Sequence, residues 1–260
     1  MREAINLALK AQGKTSPNPM VGALLVKGNR IIARGYHHRV GKAHAEIIAL
    51  QKAGMRARGA TLYVTLEPCS HYGRTPPCVD AVIKAGIKRV IIGAQDQNPL
   101  TNGTSIRKLR KHGIAVECGV LSDEATMINE AFNKFITQGM PLVTIKVAQS
   151  LDGKIALQDG SSQWITSKAT RDYSHRLRTY HDALLVGLNT VINDNPLLKA
   201  RYKIIVDSQL RIPLTARIFT PRTGTVIIAT TQKAFSAKIR KLKAKGVIVI
   251  VLPSRKGKVN

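Results

Sequence analysis

The sequence predicts an α/β protein built as two domains in tandem. Three observations carry that prediction. Residues 1–138 alternate short apolar, β-rich runs with helix-like runs, the pattern of αβα layers around a largely parallel sheet. The triplet Gly139-Met140-Pro141 then interrupts the alternation. A second αβ alternation begins at Leu142. The domains are therefore set at 1–138 and 142–260, and 260 residues suffice for two cores of ordinary size.

In order, the run 2–13 is amphipathic with helical period, and Ile5, Ala8 and Leu9 mark its inner face. A Pro-rich turn at 15–22 leads into a strand at 23–27. Gly28-Asn29 is a hairpin signal, so 30–36 is the return strand. Residues 45–54, with Ile47, Ile48, Leu50 and Ala53, read as a short buried helix opening at His44. The run 60–66 is a strand that ends at Glu67. Pro77 suits the first position of a helix over 78–85, because its missing N–H is not needed there. A strand at 89–93 follows, and Asp96-Gln-Asn-Pro99 lies just past its C-terminal end, where α/β sheets place ligand contacts. A helix at 105–112, a strand at 114–118 and a helix at 122–137 complete the first domain. Cys118 falls in the apolar strand and is expected to be buried. In the second domain 142–148 is a strand, 150–154 a turn, and 166–178 a helix that begins on a Thr or Ser cap. Strands follow at 183–187, 204–206, 225–229 and 247–251, the last two flanking a basic helix-like run at 233–245.

The chain carries 41 Lys and Arg against 15 Asp and Glu, a net charge of +26. Both domains share the excess, with 20 against 9 in residues 1–138 and 21 against 6 in residues 139–260. Such a balance suits nucleic acid or an acidic small molecule such as a phosphate ester. The bland reading of 233–245 is a solvated helix face. No apolar run approaches the ~18 residues that span a membrane, and nothing at the N-terminus resembles a signal peptide. Three cysteines, two of them assigned to a metal below, fit a reducing, cytoplasmic compartment.

One constellation carries chemistry. His44-Ala-Glu46 is answered downstream by Pro68-Cys69 and Pro77-Cys78. A catalytic zinc takes three protein ligands of these types and leaves a fourth place for water. His44, Cys69 and Cys78 fill the three places, and Glu46 is left over as a proton carrier. Cys78 in the first turn of a helix is favoured as a thiolate by the helix dipole. The order H-x-E, then P-C-x-x-C, is the zinc deaminase signature. This sequence departs from it in spacing, because eight residues, 70–77, separate the two cysteines. A closed structural zinc site is the alternative, with His37 or His71 as fourth ligand. It leaves Glu46 and both Pro-Cys pairs without a role.

Pro17-Asn-Pro-Met-Val-Gly22, His44-Ala-Glu46 and the long insert from Glu67-Pro-Cys69 to Pro76-Pro-Cys78 together resemble the deaminase half of the bifunctional riboflavin-biosynthesis deaminase-reductase family. In the second domain, Lys146-Val-Ala-Gln-Ser-Leu-Asp-Gly153, Ser162-Gln-Trp-Ile-Thr166 and Thr190-Val-Ile-Asn-Asp194-Asn-Pro196 are similar to the family's reductase half. The resemblance implies a cytidine-deaminase-like zinc domain followed by a dihydrofolate-reductase-like α/β domain. It also implies two reactions. Water displaces the ring amine of a diamino-hydroxy-pyrimidine carrying a phosphoribosylamino group, and NADPH then reduces the ribosyl group to ribityl. Carried over by motif, His44, Cys69 and Cys78 hold zinc and Glu46 shuttles the proton. Ala148, Trp164, Thr190, Asp194 and Ser208 are the NADP contacts. Ser162, Arg178, Leu198 and Arg201 are the substrate contacts, where arginine binds phosphate bidentately. A homo-oligomer is expected, with no specific nucleic-acid partner and no membrane. The family has a longer loop after Arg201 and continues past residue 260 with a Glu and a Gly-rich turn for substrate and cofactor phosphate. The reductase domain is therefore expected to be incomplete and to bind NADPH weakly. A nucleic-acid-editing zinc deaminase and a non-enzymatic basic zinc module are the competing readings. The cysteine insert and the reductase motifs separate the family from the first, and Glu46 separates it from the second.

Overall fold

The computed structural model describes residues 1–72, 76–221 and 223–259. The chain divides into two compact units, Met1–Lys146 and Val147–Asn260.

In the first unit the order is α1 (Arg2–Leu9), β1 (Gly22–Lys27), β2 (Arg30–Tyr36), α2 (Ala45–Ala53), β3 (Thr61–Leu66), α3 (Cys78–Lys84), β4 (Arg89–Ala94), α4 (Thr104–Lys111), β5 (Ala115–Cys118), α5 (Ser122–Met127) and α6 (Glu130–Gln138). Five strands form one sheet in the order β2-β1-β3-β4-β5. β1 pairs antiparallel with β2 and β3, whereas β3–β4 and β4–β5 are parallel. The sheet is thus mixed rather than largely parallel. A two-residue turn at Gly28-Asn29 joins only antiparallel strands, while α3 and α4 supply the crossovers that parallel pairs need.

The main core lies between one sheet face and α2–α4, with Leu25, Leu62, Val64, Val90 and Ile92 packed in one cluster with Ala45, Ala49, Val79, Val82 and Leu109. α1 packs through Ala4 and Leu7 against Leu24, and α5 through Ala125 against Leu66 and Ala94. Small residues set the close approach of α2. Ala45, Glu46, Ala49 and Ala53 are its buried positions, while Ile47, Ile48 and Leu50 are only half-buried. The inner face of α1 is Ala4, Ile5, Leu7 and Ala8, and Leu9 is exposed. The helix expected over 122–137 is two helices. Asn129 at the break is buried, accepts the Met20 N–H (2.7 Å) and donates to the Met20 carbonyl (2.9 Å), so its side chain serves the Pro-rich turn. Cys118 is exposed, because β5 is an edge strand. Pro77 is the cap of α3, with φ −56° and ψ 132°, rather than its first helical residue.

The second unit contains α7 (Lys168–Arg178), β6 (Ala183–Gly187), α8 (Leu188–Asp194), β7 (Tyr202–Val206), β8 (Thr225–Thr230), α9 (Ser236–Ala244), β9 (Ile248–Val251), β10 (Ser254–Arg255) and β11 (Lys258–Val259). Four parallel strands lie in the order β6-β7-β8-β9, and β10 and β11 form a separate antiparallel pair. Ile205, Ile228, Val191, Ile218 and Leu242 centre its core. Ser167 caps α7 by accepting the Thr170 N–H at 3.3 Å. The strand expected over 142–148 does not form, and Val143, Ile145 and Val147 stand exposed. Alternating apolar residues make a strand only where a neighbouring edge completes the ladder, and among the described residues no strand pairs with this run. The turn after it is present, closed by Ser150 N–H to the Lys154 carbonyl at 2.9 Å. Among the described residues no helix is long and apolar enough to cross a membrane.

Candidate active site

The ends of three elements converge beyond the C-terminal end of β3, the middle strand of the sheet. His44 occupies the cap position of α2 in extended conformation, and Glu46 follows in the first turn with its side chain buried. β3 ends at Leu66, which places Glu67, Pro68 and Cys69 just beyond the sheet. Cys78 opens α3. The two cysteine segments are tied together, with Cys78 N–H donating to Cys69 Sγ (3.2 Å) and Val79 N–H to the Cys69 carbonyl (3.2 Å). Gly73, Arg74 and Thr75 of the intervening insert lie outside the described residues.

His44 Nδ1 lies 3.1 Å from Cys78 Sγ and 3.6 Å from Cys69 Sγ. The three donor atoms all fall within 4.8 Å of one another. Two thiols and an imidazole this close are a donor set for a borderline-soft divalent cation, so the residues fit zinc. The three groups also share protons among themselves. A hydrogen bond from the Cys78 side chain, with His44 beside it, holds the Cys69 thiol down to about 4. The same bond and burial push Cys78 up. The bond to Cys69 raises His44. Burial pushes the Glu46 carboxyl up to about 7. Neither alternative fourth ligand joins the cluster among the described residues. His37 Nδ1 lies 3.1 Å from the Ala43 carbonyl and its Nε2 3.2 Å from Asn18 Nδ2, while His71 Nδ1 pairs with Thr101 Oγ1 at 3.2 Å.

Beside the cluster is a cavity of about 310 Å³. His44, Glu46 and Cys69 line it together with Asn18, His37, His71, Asp96, Asn98 and Phe132. The Asp96 loop reaches it from the C-terminal end of β4, where the sequence puts a ligand contact. The places of Asn18 and Phe132 at this cavity are not legible in the sequence, whereas His37 and His71, read there as alternative zinc ligands, line the cavity without joining the donor set. Asn18 sits inside the Pro-Asn-Pro turn, so its signal is a motif without a chemistry. Because the Ala43 carbonyl can only accept, His37 donates from Nδ1, and its Nε2 is left to accept from the Asn18 amide. That bond fixes which end of the Asn18 amide turns toward His37. Burial pushes Asp96 up to about 6.

The nine positions expected in the second unit are spread over several elements. Thr190 and Asp194 lie on α8, which leaves the C-terminal end of β6, and Ser208 follows the C-terminal end of the adjacent β7. The C-terminal ends of parallel strands are where α/β sheets place ligand contacts. Arg178 is the last residue of α7, Leu198 is buried with φ +45°, and Arg201 pairs with Asp182 at 3.4 Å. Trp164 is 67% exposed, with the Arg171 guanidinium 4.2 Å from its ring. Ala148 and Ser162 lie in irregular chain, half-buried. The Ser208 hydroxyl accepts the Val259 N–H at 3.0 Å. Among the described residues no side-chain hydrogen bond or ion pair is seen between any two of these nine, and only Thr190 and Asp194 share an element, one turn apart on α8.

Residues 1–94 match the family described as the cytidine and deoxycytidylate deaminase zinc-binding region. Residues 141–260 match the RibD C-terminal domain. The chain is 49% identical over 260 residues to the riboflavin biosynthesis protein RibD of Aquifex aeolicus, covering 97% of this chain and 72% of that one. It is 41% identical over 253 residues to RibD of Escherichia coli, covering 90% and 69%. The fold is similar to a solved RibD of Acinetobacter baumannii, with TM-score 0.87 at 40% identity over 98% of this chain and 73% of that one. It is also similar to a diaminohydroxyphosphoribosylaminopyrimidine deaminase/5-amino-6-(5-phosphoribosylamino)uracil reductase of Thermotoga maritima, with TM-score 0.84 at 39% identity over 99% and 80%.

Proposed function

The chain belongs to the RibD family of riboflavin biosynthesis, which joins a deaminase to a reductase, and from that premise we propose which residues carry each activity here. Residues 1–138 deaminate a diaminohydroxyphosphoribosylaminopyrimidine, and residues 142–260 reduce the resulting 5-amino-6-(5-phosphoribosylamino)uracil. The reading rests on the His44, Cys69 and Cys78 cluster with unliganded, buried Glu46 beside it at a cavity.

His44, Cys69 and Cys78 hold zinc, which when bound supplies a Lewis acid that makes hydroxide available from water near neutral pH. Glu46 takes the proton of the attacking water on a carboxylate oxygen and delivers it to the departing ring amine. A C–O bond forms, the C–N bond breaks and ammonia leaves. Burial holds the Glu46 carboxyl above the usual carboxylate range, which suits a group that must both accept and return a proton. Asn18, Asp96 and Asn98 present fixed donors and acceptors to the ring edge in the cavity. In the second unit, Ala148, Trp164, Thr190, Asp194 and Ser208 hold NADPH, the hydride donor. Ser162, Arg178, Leu198 and Arg201 hold the deaminated substrate, the two arginines pairing with its phosphate. Support for this half comes from the family match over residues 141–260 and from the common exit of α8 and Ser208 at the ends of β6 and β7. The nucleic-acid-editing alternative finds no support in the relatives named above.

The deciding variant is Glu46→Gln. We expect bound zinc to be unchanged and ammonia release to fall by about 10²–10⁴-fold, the usual contribution of a general acid–base. Zinc content and ammonia are measured on the same sample. Loss of metal together with activity would make Glu46 a ligand and sink the proposed role.

A further inference from the structure

We infer that Glu67 is a positioning residue that locks the Cys69 side of the metal cluster to the Asp96–Asn98 side of the cavity. The inference rests on the deaminase reading for its catalytic meaning and on hydrogen-bond geometry for its substance. Glu67 is 3% exposed and has no cation against it among the described ion pairs. A buried carboxylate of that kind persists only where donors surround it. Here most of them come from the start of α4. Oε2 accepts the Gly103 N–H at 2.9 Å, and Oε1 accepts the N–H groups of Ser105 (3.1 Å) and Ile106 (3.3 Å). Oε2 also takes the Asp96 N–H at 3.4 Å. The Ser105 hydroxyl lies 2.9 Å from Oε1 and 2.5 Å from the Pro68 carbonyl. A helix N-terminus offers unpaired N–H groups and a positive dipole end, so the carboxylate completes α4 as α4 completes the carboxylate.

The consequence lies in what these bonds connect. Glu67 is two residues before Cys69, and its own N–H is held by the Ala94 carbonyl at 2.9 Å. Asp96 and Asn98 line the cavity from the loop between β4 and α4. One side chain therefore sets the placement of a cluster residue and of two cavity residues. Removing it frees both at once. Glutamine does not replace it, because its amide NH₂ would face N–H donors that need an acceptor.

The test uses the full chain with Glu67→Gln, Glu67→Ala and Ser105→Ala. Zinc affinity is measured by competition with a chelating dye, which needs no turnover, and kcat and KM for deamination are measured alongside. We expect Glu67→Gln to weaken zinc binding by at least about tenfold and to raise KM about tenfold. Ser105→Ala should shift both in the same direction by less. A Glu67→Gln protein that melts earlier yet keeps wild-type zinc affinity and KM would show that Glu67 serves stability alone and would overturn the inference. If both Glu67 variants fail to fold, unchanged zinc affinity and KM in Ser105→Ala would overturn it as well. Should even the unaltered chain fail to deaminate this pyrimidine, the deaminase reading falls, while the zinc competition still decides the role of Glu67.

Discussion

Asp96 shows how a single buried carboxyl at this cavity links structure to pH. The residue is 6% exposed, and burial pushes its carboxyl up to about 6. The sign follows from linkage. A carboxyl whose folded value is raised holds its proton more tightly in the native state, so the stability that it contributes is complete below its unfolded value near 4 and is lost as pH rises through about 6. Asp96→Asn removes the charge and keeps the oxygen that accepts the Asn98 N–H at 2.9 Å. We expect this variant to be more stable than the parent by on the order of 1 kcal/mol at about pH 7, with the difference fading near pH 4. Denaturant melts at the two pH values check it. A constant difference would mean that the ionised carboxylate carries no penalty. Deamination by the variant should fall, because Asp96 faces the cavity. Residue chemistry of this kind is only partly legible in the sequence. His44, Cys69, Cys78 and Glu46 announce themselves by type and order, whereas His37 and Asn18 acquire meaning through a bond between segments that only the fold brings together.

At the level of elements, Gly35 decides where α2 sits. A Cβ at this position would overlap the Ala45 carbonyl and lie 2.8 Å from the Ala49 backbone nitrogen. Those atoms belong to the helix that carries His44 and Glu46. Gly35→Ala should therefore push α2 off the hairpin, destabilising the protein by about 1–3 kcal/mol as overpacking does. It should also weaken zinc binding, although Gly35 touches neither the metal donors nor the cavity. A loss of stability without any change in zinc affinity would show that α2 adjusts along its length and leaves His44 in place. Local signals describe this region well. The Gly28-Asn29 turn fixes the hairpin, and the strand at 30–36 is β2 itself. The elements that differ are those whose ends depend on distant partners. The helix at 122–137 breaks because Asn129 bonds to Met20, 109 residues away. The strand at 142–148 is absent because an alternating pattern does not say whether an edge stands beside it. The mixed sheet is hidden for a related reason, since pairing direction between β1 and β3 is set by what joins them and not by either strand's composition.

For the whole molecule the dominant quantity is a net charge of +26, and the deaminase reading uses little of it. Part of it gathers on the first unit, where Lys10, Lys14, His38, Arg39 and Lys42 line an open cleft of about 550 Å³ that no carboxylate enters. A surface so charged attracts any polyanion through release of condensed counterions, and that attraction carries no sequence information. The expectation is specific in form. Binding to an unrelated RNA and to a tRNA should be similar at low salt. Both should weaken by about 10³-fold or more between about 50 and about 200 mM salt, if some 6–10 phosphates are engaged. Replacing Lys10, Lys14, Arg39 and Lys42 by alanine should flatten the salt slope by about one unit for each phosphate no longer neutralised, and leave zinc content as it was. Filter binding across a salt series measures all of this. The same titration tests the assignment of the chain to small-molecule chemistry. An editing enzyme must unstack and read a base, so its preference for one structured RNA survives added salt. Equal, salt-labile binding of both RNAs is what a basic surface gives on its own, and a salt-resistant preference for the tRNA would make nucleic acid a substrate again.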